Sequence, residues 1–456
     1  LAGRLRKEGD AKLTVMAVGD DDQNVFGFRE TSVEFIRRFE ADYVAEKHYL
    51  VENFRSTQNI ISAANAVIQG APDRMKVDHP IQIDHARARL PAGGRFKRLD
   101  PVAEGRVQIF RVPVDRNVQA QLAMAELERL RRLDANADWS QFAVLARTHA
   151  TLEPIRAFCE KAGISYRTGE RSDGLSVMNT REGHCVLTAL RKRPGRLVRT
   201  RALAAWLRRA ANAEPRNPWL GELRDSALDL EATVGRVAIP CTEAIDWFYE
   251  SAGAHARDAP GHLNLLTAHG AKGREFAHVI VLDAGDWPST GADERRLLYV
   301  AMTRAKDTLT LFQARPRGNL LLEDLSDSDS VRRIEPKDVP MPAPELNRLH
   351  RELTLADVDL GFAGRADSMA PIHAAIGELC VGDPLRLEGR DMRDTAGRIL
   401  GRLSKRCDLP PGKVVSVRVT AIVRRTKEQT LEQYRSAVKV AAWVRTRTTS
   451  SCTSIT

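Results

Sequence analysis

Apolar residues Ile60, Ile61, Ala64 and Ile68 recur at helical spacing, so residues 57–69 read as a helix with one buried face. Ahead of it, the apolar run at 13–18 predicts a buried strand that ends in the polar turn Gly19-Asp-Asp-Asp-Gln23. Residues 70–105 are rich in Pro, Gly and basic side chains without periodicity and read as a loop-rich connection. A strand at 107–112, a helix at 117–133 and a strand at 142–146 follow. Ile155, Phe158, Cys159 and Ala162 then predict a helix over 152–162 stopped by Gly163, with a short strand at 164–167. The pattern turns mainly helical and basic between 169 and 259. Strands return at 263–267 and 278–282, followed by a helix at 292–305 and a strand at 308–312. Strands alternating with helices predict an α/β fold, with a mostly parallel sheet covered on both faces.

Past Glu323 the composition shifts to Ser/Asp and then to Pro, which predicts a linker. Alternation at Val415, Val417, Val419, Ala421 and Val423 predicts strands in a small β-rich region, and the Thr/Ser-rich end from Arg445 reads as a disordered tail. The 456 residues allow about three domains. An apolar content of 43% excludes a disordered chain, and the net charge of +10 makes a polyanionic partner worth testing. The six cysteines are scattered without any CxxC, which supports neither a metal cluster nor a disulfide framework and points to a reducing compartment. No apolar run is long enough to cross a membrane, so a cytoplasmic protein is expected.

Three regions carry candidate chemistry. In Val18-Gly-Asp-Asp-Asp-Gln-Asn-Val-Phe-Gly-Phe-Arg29, Gln23 would stand at a sheet edge, where its amide can position a water or read a terminal phosphate. Phe26, Phe28 and Arg29 supply the ingredients for stacking single-stranded bases; a solvated turn followed by core phenylalanines fits the same residues. In Val51-Glu-Asn-Phe-Arg-Ser-Thr57, Arg55 stands beside a helix N-terminus and suits an anion, with Ser56 or Thr57 as N-cap. The third region has two parts. Residues 263–276 (LNLLTAHGAKGREF) end a strand in a glycine-bearing turn that can cradle phosphates, and residues 294–306 (ERRLLYVAMTRAK) put Arg304 after an apolar helical run.

Taken in this order, the segments resemble the superfamily 1 helicases of the UvrD/Rep/PcrA type. GDDDQNVFGFR resembles their motif III, VENFRST motif IV, LLTAHGAKGREF motif V and ERRLLYVAMTRAK motif VI. The likeness covers about residues 10–315 and includes the strand–helix–strand of Phe142-Ala-Val-Leu-Ala-Arg-Thr-His149 and Gly163-Ile-Ser-Tyr166.

The resemblance implies two RecA-like P-loop NTPase domains with ATP between them and single-stranded DNA across their tops. Gln23 would then sense the γ-phosphate, with Arg55 and Arg304 as arginine fingers. Phe54 stands where a tyrosine usually stacks on the base, Glu275 would lie near the ribose, and Gly273 is placed with the ATP contacts. Phe26 and Phe28 would stack on DNA bases with Arg29, at the coupling arginine, beside them at the DNA, while Thr267, His269 and Lys272 would sit at the cleft or the DNA backbone. ATP and Mg²⁺ are the implied cofactors, single-stranded and partly duplex DNA the partners, and 3′ to 5′ the polarity.

One departure governs the expected activity. No G-x-x-x-x-G-K-[ST] loop and no Walker B Asp-Glu occur in the chain, and both lie upstream of motif III in that family. The chain begins with leucine, about ten residues before motif III. It is therefore expected to be a fragment that is inactive alone, with no metal ligands of its own, and Asp20, Asp21 and Asp22 are not read as substitutes.

The expected layout is a remnant of the first RecA-like domain (1–47) and a complete second one (48–168 and 260–322), interrupted by a basic helical insertion (169–259). A linker (323–349), a β-rich accessory domain (350–444) and a tail (445–456) follow. Within the insertion, residues 191–209 hold eight basic and no acidic residues, which suits either a duplex backbone or solvent. A non-catalytic DNA-binding scaffold is the competing reading. A helicase–nuclease lacks a clear acidic metal constellation.

Overall fold

The computed structural model describes residues 15–25, 34–72, 74–134, 136–168, 175–192, 195–251, 261–287, 290–325, 328–409, 412–430 and 432–453. They fall into two compact units, one of residues 1–169 and 261–346, the other of 170–260 and 347–456.

The first unit is built on a seven-stranded sheet. Its strands are β1 (Val107–Pro113), β2 (Phe142–Ala146), β3 (Tyr166–Thr168), β4 (Leu263–Thr267), β5 (Phe276–Val281), β6 (Ala305–Arg315) and β7 (Val331–Ile334). They lie in the order β7-β1-β6-β5-β2-β4-β3, and every neighbouring pair is parallel. A parallel sheet covered on both faces needs apolar residues at consecutive positions, and β2 is buried at all five. Ala143 and Leu145 face one core, which they share with Ile60 and Ile68 of α1 (Gln58–Gln69) and with Leu297 and Val300 of α4 (Ala292–Met302). Phe142 and Val144 face the other, with Leu127 of α2 (Arg116–Leu133) and Ile155 of α3 (His149–Ala162). This is a mixed α/β fold with a large parallel sheet, as the alternation of strands and helices predicts.

Local signals set the helix ends. Asp115 caps α2, its Oδ1 accepting from the backbone N–H of Asn117 (2.8 Å) and Val118 (3.0 Å). Replacing it, Asp115→Ala, is expected to cost about 1 kcal/mol, read from the urea midpoint. Gly163 ends α3 at φ +67, a left-handed conformation that glycine adopts without strain.

The structure departs from the sequence expectation in four places. Val15, Met16 and Val18 lie in no strand and are exposed (39%, 83% and 77%), because no described strand runs alongside to pair with them. Gln23 accordingly ends a short 3-10 turn and does not stand at the carboxyl edge of a strand. The expected linker contributes β7, which extends the parallel sheet beyond β1. The stretch expected to be a disordered tail from Arg445 lies largely in a strand, Ala442–Thr453, paired with Lys413–Thr426 on one side and Arg348–Glu352 on the other.

In the second unit, the insertion and the C-terminal region share a core. Helices Arg181–Arg191, Thr200–Ala213, Pro218–Val234 and Cys241–Ser251 surround Leu187, Leu203, Trp219, Leu223 and Phe248, which pack with Val381, Ala421 and Val423 from the C-terminal part. The Trp219 indole N–H donates to the Thr420 carbonyl (2.7 Å), and Thr180 bridges Val423. A register shift between Val419 and Ala421 explains how one strand serves two cores. Val417, Val419 and Ile422 enter the C-terminal core, whereas Ala421 and Val423 turn to the insertion.

Candidate nucleotide-facing site

The segment 51–57 is held against the start of β6. Asn53 Oδ1 accepts from the backbone N–H of Arg55 (2.9 Å) and Ser56 (2.8 Å), a local side-chain turn that fixes the chain direction before α1. The Ser56 hydroxyl donates to the Ala305 carbonyl (2.6 Å), and the Thr57 N–H donates to the Lys306 carbonyl (3.1 Å). Thr57 occupies the N-cap position of α1 without a side-chain capping bond. Phe54 is left 68% exposed.

This stitching brings two guanidiniums onto Thr303. Arg55 Nη1 makes a long hydrogen bond to the Thr303 carbonyl (3.4 Å), and Arg304 Nη2 donates to the Thr303 hydroxyl (3.1 Å). Arg304 is 3% exposed, and its remaining bonds go to the carbonyls of Val300 (2.9 Å) and Arg274 (3.1 Å). Among the described residues, no carboxylate lies within ion-pair distance of it. Burial, and then the neighbouring Arg55 charge, brings Arg304 down to about 10, so it stays charged at neutral pH without a paired anion.

Glu275 stands next to this pair. Its Oε2 is 2.5 Å from Arg55 Nε, close but outside hydrogen-bond geometry, and its Oε1 is 2.6 Å from Lys306 Nζ. The Lys306 ammonium foremost, and Arg55 as well, holds the Glu275 carboxyl below the usual carboxylate range. The stability from these pairs is complete above the ordinary glutamate value and is lost as pH falls through the lowered one. Glu275→Gln is expected to remove that acid limb from urea midpoints measured between about pH 3 and about pH 6. With the Glu275 side chain 42% exposed, the change should be at most about 1 kcal/mol.

Gln23 lies in a short 3-10 turn, Asp21–Gln23, its amide donating to Asp20 Oδ2 (2.6 Å). Each aspartate already faces a donor in the segment 74–76. Arg74 holds Asp22 through two bonds of 2.8 Å, the Met75 N–H donates to Asp21 (2.6 Å), and Lys76 donates to Asp20 (2.5 Å). The three carboxylates cluster within 4.8 Å and are oxygen donors of the kind Mg²⁺ takes, but two cations and a backbone N–H already hold them, and a metal ion would have to displace these. The buried Tyr299 connects this turn to the arginines, lying within electrostatic reach of Asp20, Asp22, Arg74 and Arg304, and burial pushes its phenol far up.

The strand register separates the motif V residues into two groups. Thr267 pairs with Ala146 at the carboxyl end of the sheet, whereas Phe276 pairs with Ala305 at the amino ends of β5 and β6. Residues 268–275 run from one end to the other, so Glu275 joins Arg55 and Arg304 while Thr267 does not. In the turn, Thr267 Oγ1 accepts from the Gly270 N–H (3.1 Å), and Gly273 sits at φ +82. Burial first, and then the Arg147 charge, lowers His269 and keeps its ring neutral at pH 7. Arg147 is itself held by Glu294 (2.8 Å). Lys272 follows in the same turn and is exposed. Phe26, Phe28 and Arg29 lie outside the described residues.

Sequence reasoning missed Lys306, Arg74 and Lys76. Lys306 closes the motif that contains Arg304, so position alone could have flagged it. Arg74 and Lys76 lie in a segment with no periodic pattern.

Residues 262–312 match the family model described as UvrD-like helicase C-terminal domain. Over 62 residues the chain is 52% identical to DNA helicase II of Escherichia coli, covering 13% of this chain and 9% of that protein. It is 31% identical over 169 residues to the ATP-dependent DNA helicase UvrD1 of Mycobacterium tuberculosis, 37% of this chain and 19% of the relative. A longer match, 26% identical over 368 residues, links it to the ATP-dependent DNA helicase UvrD2 of Mycobacterium bovis, 73% of this chain and 48% of the relative. The chain thus spans less than half the length of each of these relatives. Residues 262–312 are thus similar to the C-terminal domain of UvrD-like helicases, and the longer matches run to UvrD-type DNA helicases.

Proposed function

We propose that this chain forms the second motor domain of an ATP-dependent, 3′ to 5′ DNA helicase or translocase that works in the cytoplasm. The observation that carries this reading is Arg304, buried and charged without a carboxylate partner, converging with Arg55 on Thr303 beside Glu275. Two guanidiniums, that of Arg304 buried and that of Arg55 partly exposed, suit the terminal phosphate of ATP, where charge develops during transfer. Gln23 would read that phosphate, Phe54 would stack on the base, and Glu275 with Gly273 would lie at the ribose side. Thr267, His269 and Lys272, with Phe26, Phe28 and Arg29, would meet a DNA strand.

The chemistry also needs a P-loop and a Walker B carboxylate to hold phosphates and Mg²⁺, and these residues do not supply them. They would have to come from sequence outside this chain, which alone should turn over no ATP. The assay that tests the proposal compares 3′-tailed with 5′-tailed duplexes, unwound by the protein that carries this chain together with a P-loop domain. Unwinding of the 3′-tailed substrate is the expected result. DNA binding without ATP-driven unwinding of either substrate would favour a non-catalytic scaffold.

A further inference from the structure

The positive charge of the chain is not spread evenly. Residues 384–447 hold sixteen Lys/Arg against six Asp/Glu, a surplus equal to the whole net charge of +10. Half of those acids are already committed: Glu388 to Arg393, Asp391 to Arg402 and Asp394 to Arg398.

One part of this surplus meets the insertion. The strand Lys413–Thr426 pairs through Val423 with Thr180, which caps the helix Arg181–Arg191. One turn into that helix the His184 N–H donates to the Thr180 carbonyl (3.0 Å). Besides burial, the groups that act on the His184 ring are Arg424 from the strand and Arg191 from the helix; both are cations, and both lower it, keeping the ring neutral. Arg191 Nη2 also donates to the Tyr249 hydroxyl (3.4 Å), and Tyr249 is 50% exposed. Arg191 and Lys192 are exposed. Of the nearby acids, Glu182 is paired with Arg181, and Glu250 adjoins Tyr249 in sequence.

Among the described residues no carboxylate lies within ion-pair distance of Arg191, Lys192 or Arg424; like charges gathered in this way repel one another, and a bound anion relieves the repulsion. Cations from two elements meeting at His184, one of them bonded to the hydroxyl of an exposed aromatic residue, suit a phosphate backbone with bases alongside. We propose that this seam, built jointly from the insertion and the C-terminal strand, is a nucleic-acid-binding surface centred on Arg191, Lys192, Arg424 and Tyr249. The β-rich C-terminal region thereby takes part in holding DNA. Naming the polyanion as nucleic acid rests on the DNA-helicase reading above; the anion surface itself does not.

The test uses the full chain and a fluorescein-labelled oligonucleotide with a single-strand–duplex junction, titrated by anisotropy over a series of salt concentrations. The double variant Arg191→Gln/Arg424→Gln should bind about ten-fold more weakly at low salt, with the slope of log K against log salt shallower by about two. Its melting curve should be unchanged. Tyr249→Ala should weaken binding while leaving the salt slope as it was. Unchanged affinity and slope in the double variant would overturn the proposal. So would polyglutamate that displaces the oligonucleotide as well as unlabelled DNA does, because the surface would then hold any polyanion. If the motor reading fails, ATP hydrolysis is absent while these binding differences persist, so the two failures are distinguishable.

Discussion

Arg304→Ala is expected to lower DNA-stimulated ATP hydrolysis by at least about 10³-fold in the protein that carries this chain with a P-loop domain, with DNA affinity nearly intact. The expectation follows from the placement of Arg304. Its guanidinium is buried and charged, and it shares Thr303 with Arg55. A phosphoryl group losing its leaving oxygen would gain more from such a fixed cation than would the ground state. Because Arg304 also bonds the carbonyls of Val300 and Arg274, the alanine variant needs a melting curve beside the kinetics. Arg304→Lys is the second variant: it keeps the charge, loses the planar fork, and should also be strongly impaired. Equal loss of DNA binding and hydrolysis would mean that Arg304 holds the fold and does not act on phosphate.

Trp219→Ala should destabilise the second unit by about 3–5 kcal/mol. Trp219 is 3% exposed in the core shared by the insertion and the C-terminal strand, and its indole N–H satisfies the Thr420 carbonyl. Truncation leaves both a cavity and a part-buried carbonyl without its indole donor. Hydrogen exchange should therefore rise together in residues 200–234 and 413–423, with β2 and β5 unaffected. Loss of protection in the insertion alone would show that the two segments fold independently.

The elements legible in the sequence were those whose environment repeats along the chain. β2 and α1 have neighbours on every apolar position, so their patterns carried over with at most a residue of error. The run at 13–18 had the same signature, but no described strand pairs with residues 15–18, and hydrophobicity alone cannot supply one. Alternation at Val415 to Val423 looked like one face of one strand, and a single extra residue between Val419 and Ala421 turned half of it to another core. That inserted residue carries no signal in a period-two pattern, so the union of insertion and C-terminal region stayed hidden.

In the candidate site, Arg55, Glu275 and Arg304 stood out because they sit in long motifs. The cations that occupy the aspartate turn did not. Arg74 reaches Asp22 across 52 residues and Lys76 reaches Asp20 across 56, from a segment that reads as loop. The division of motif V between the two ends of the sheet likewise needed the strand register.

The measurement that tests the central claim most directly is the steady-state ATP hydrolysis rate of the complete native protein, with Mg²⁺, in the absence and presence of single-stranded DNA. Hydrolysis that rises on adding DNA is the predicted result. DNA binding with no hydrolysis in either condition would contradict the account.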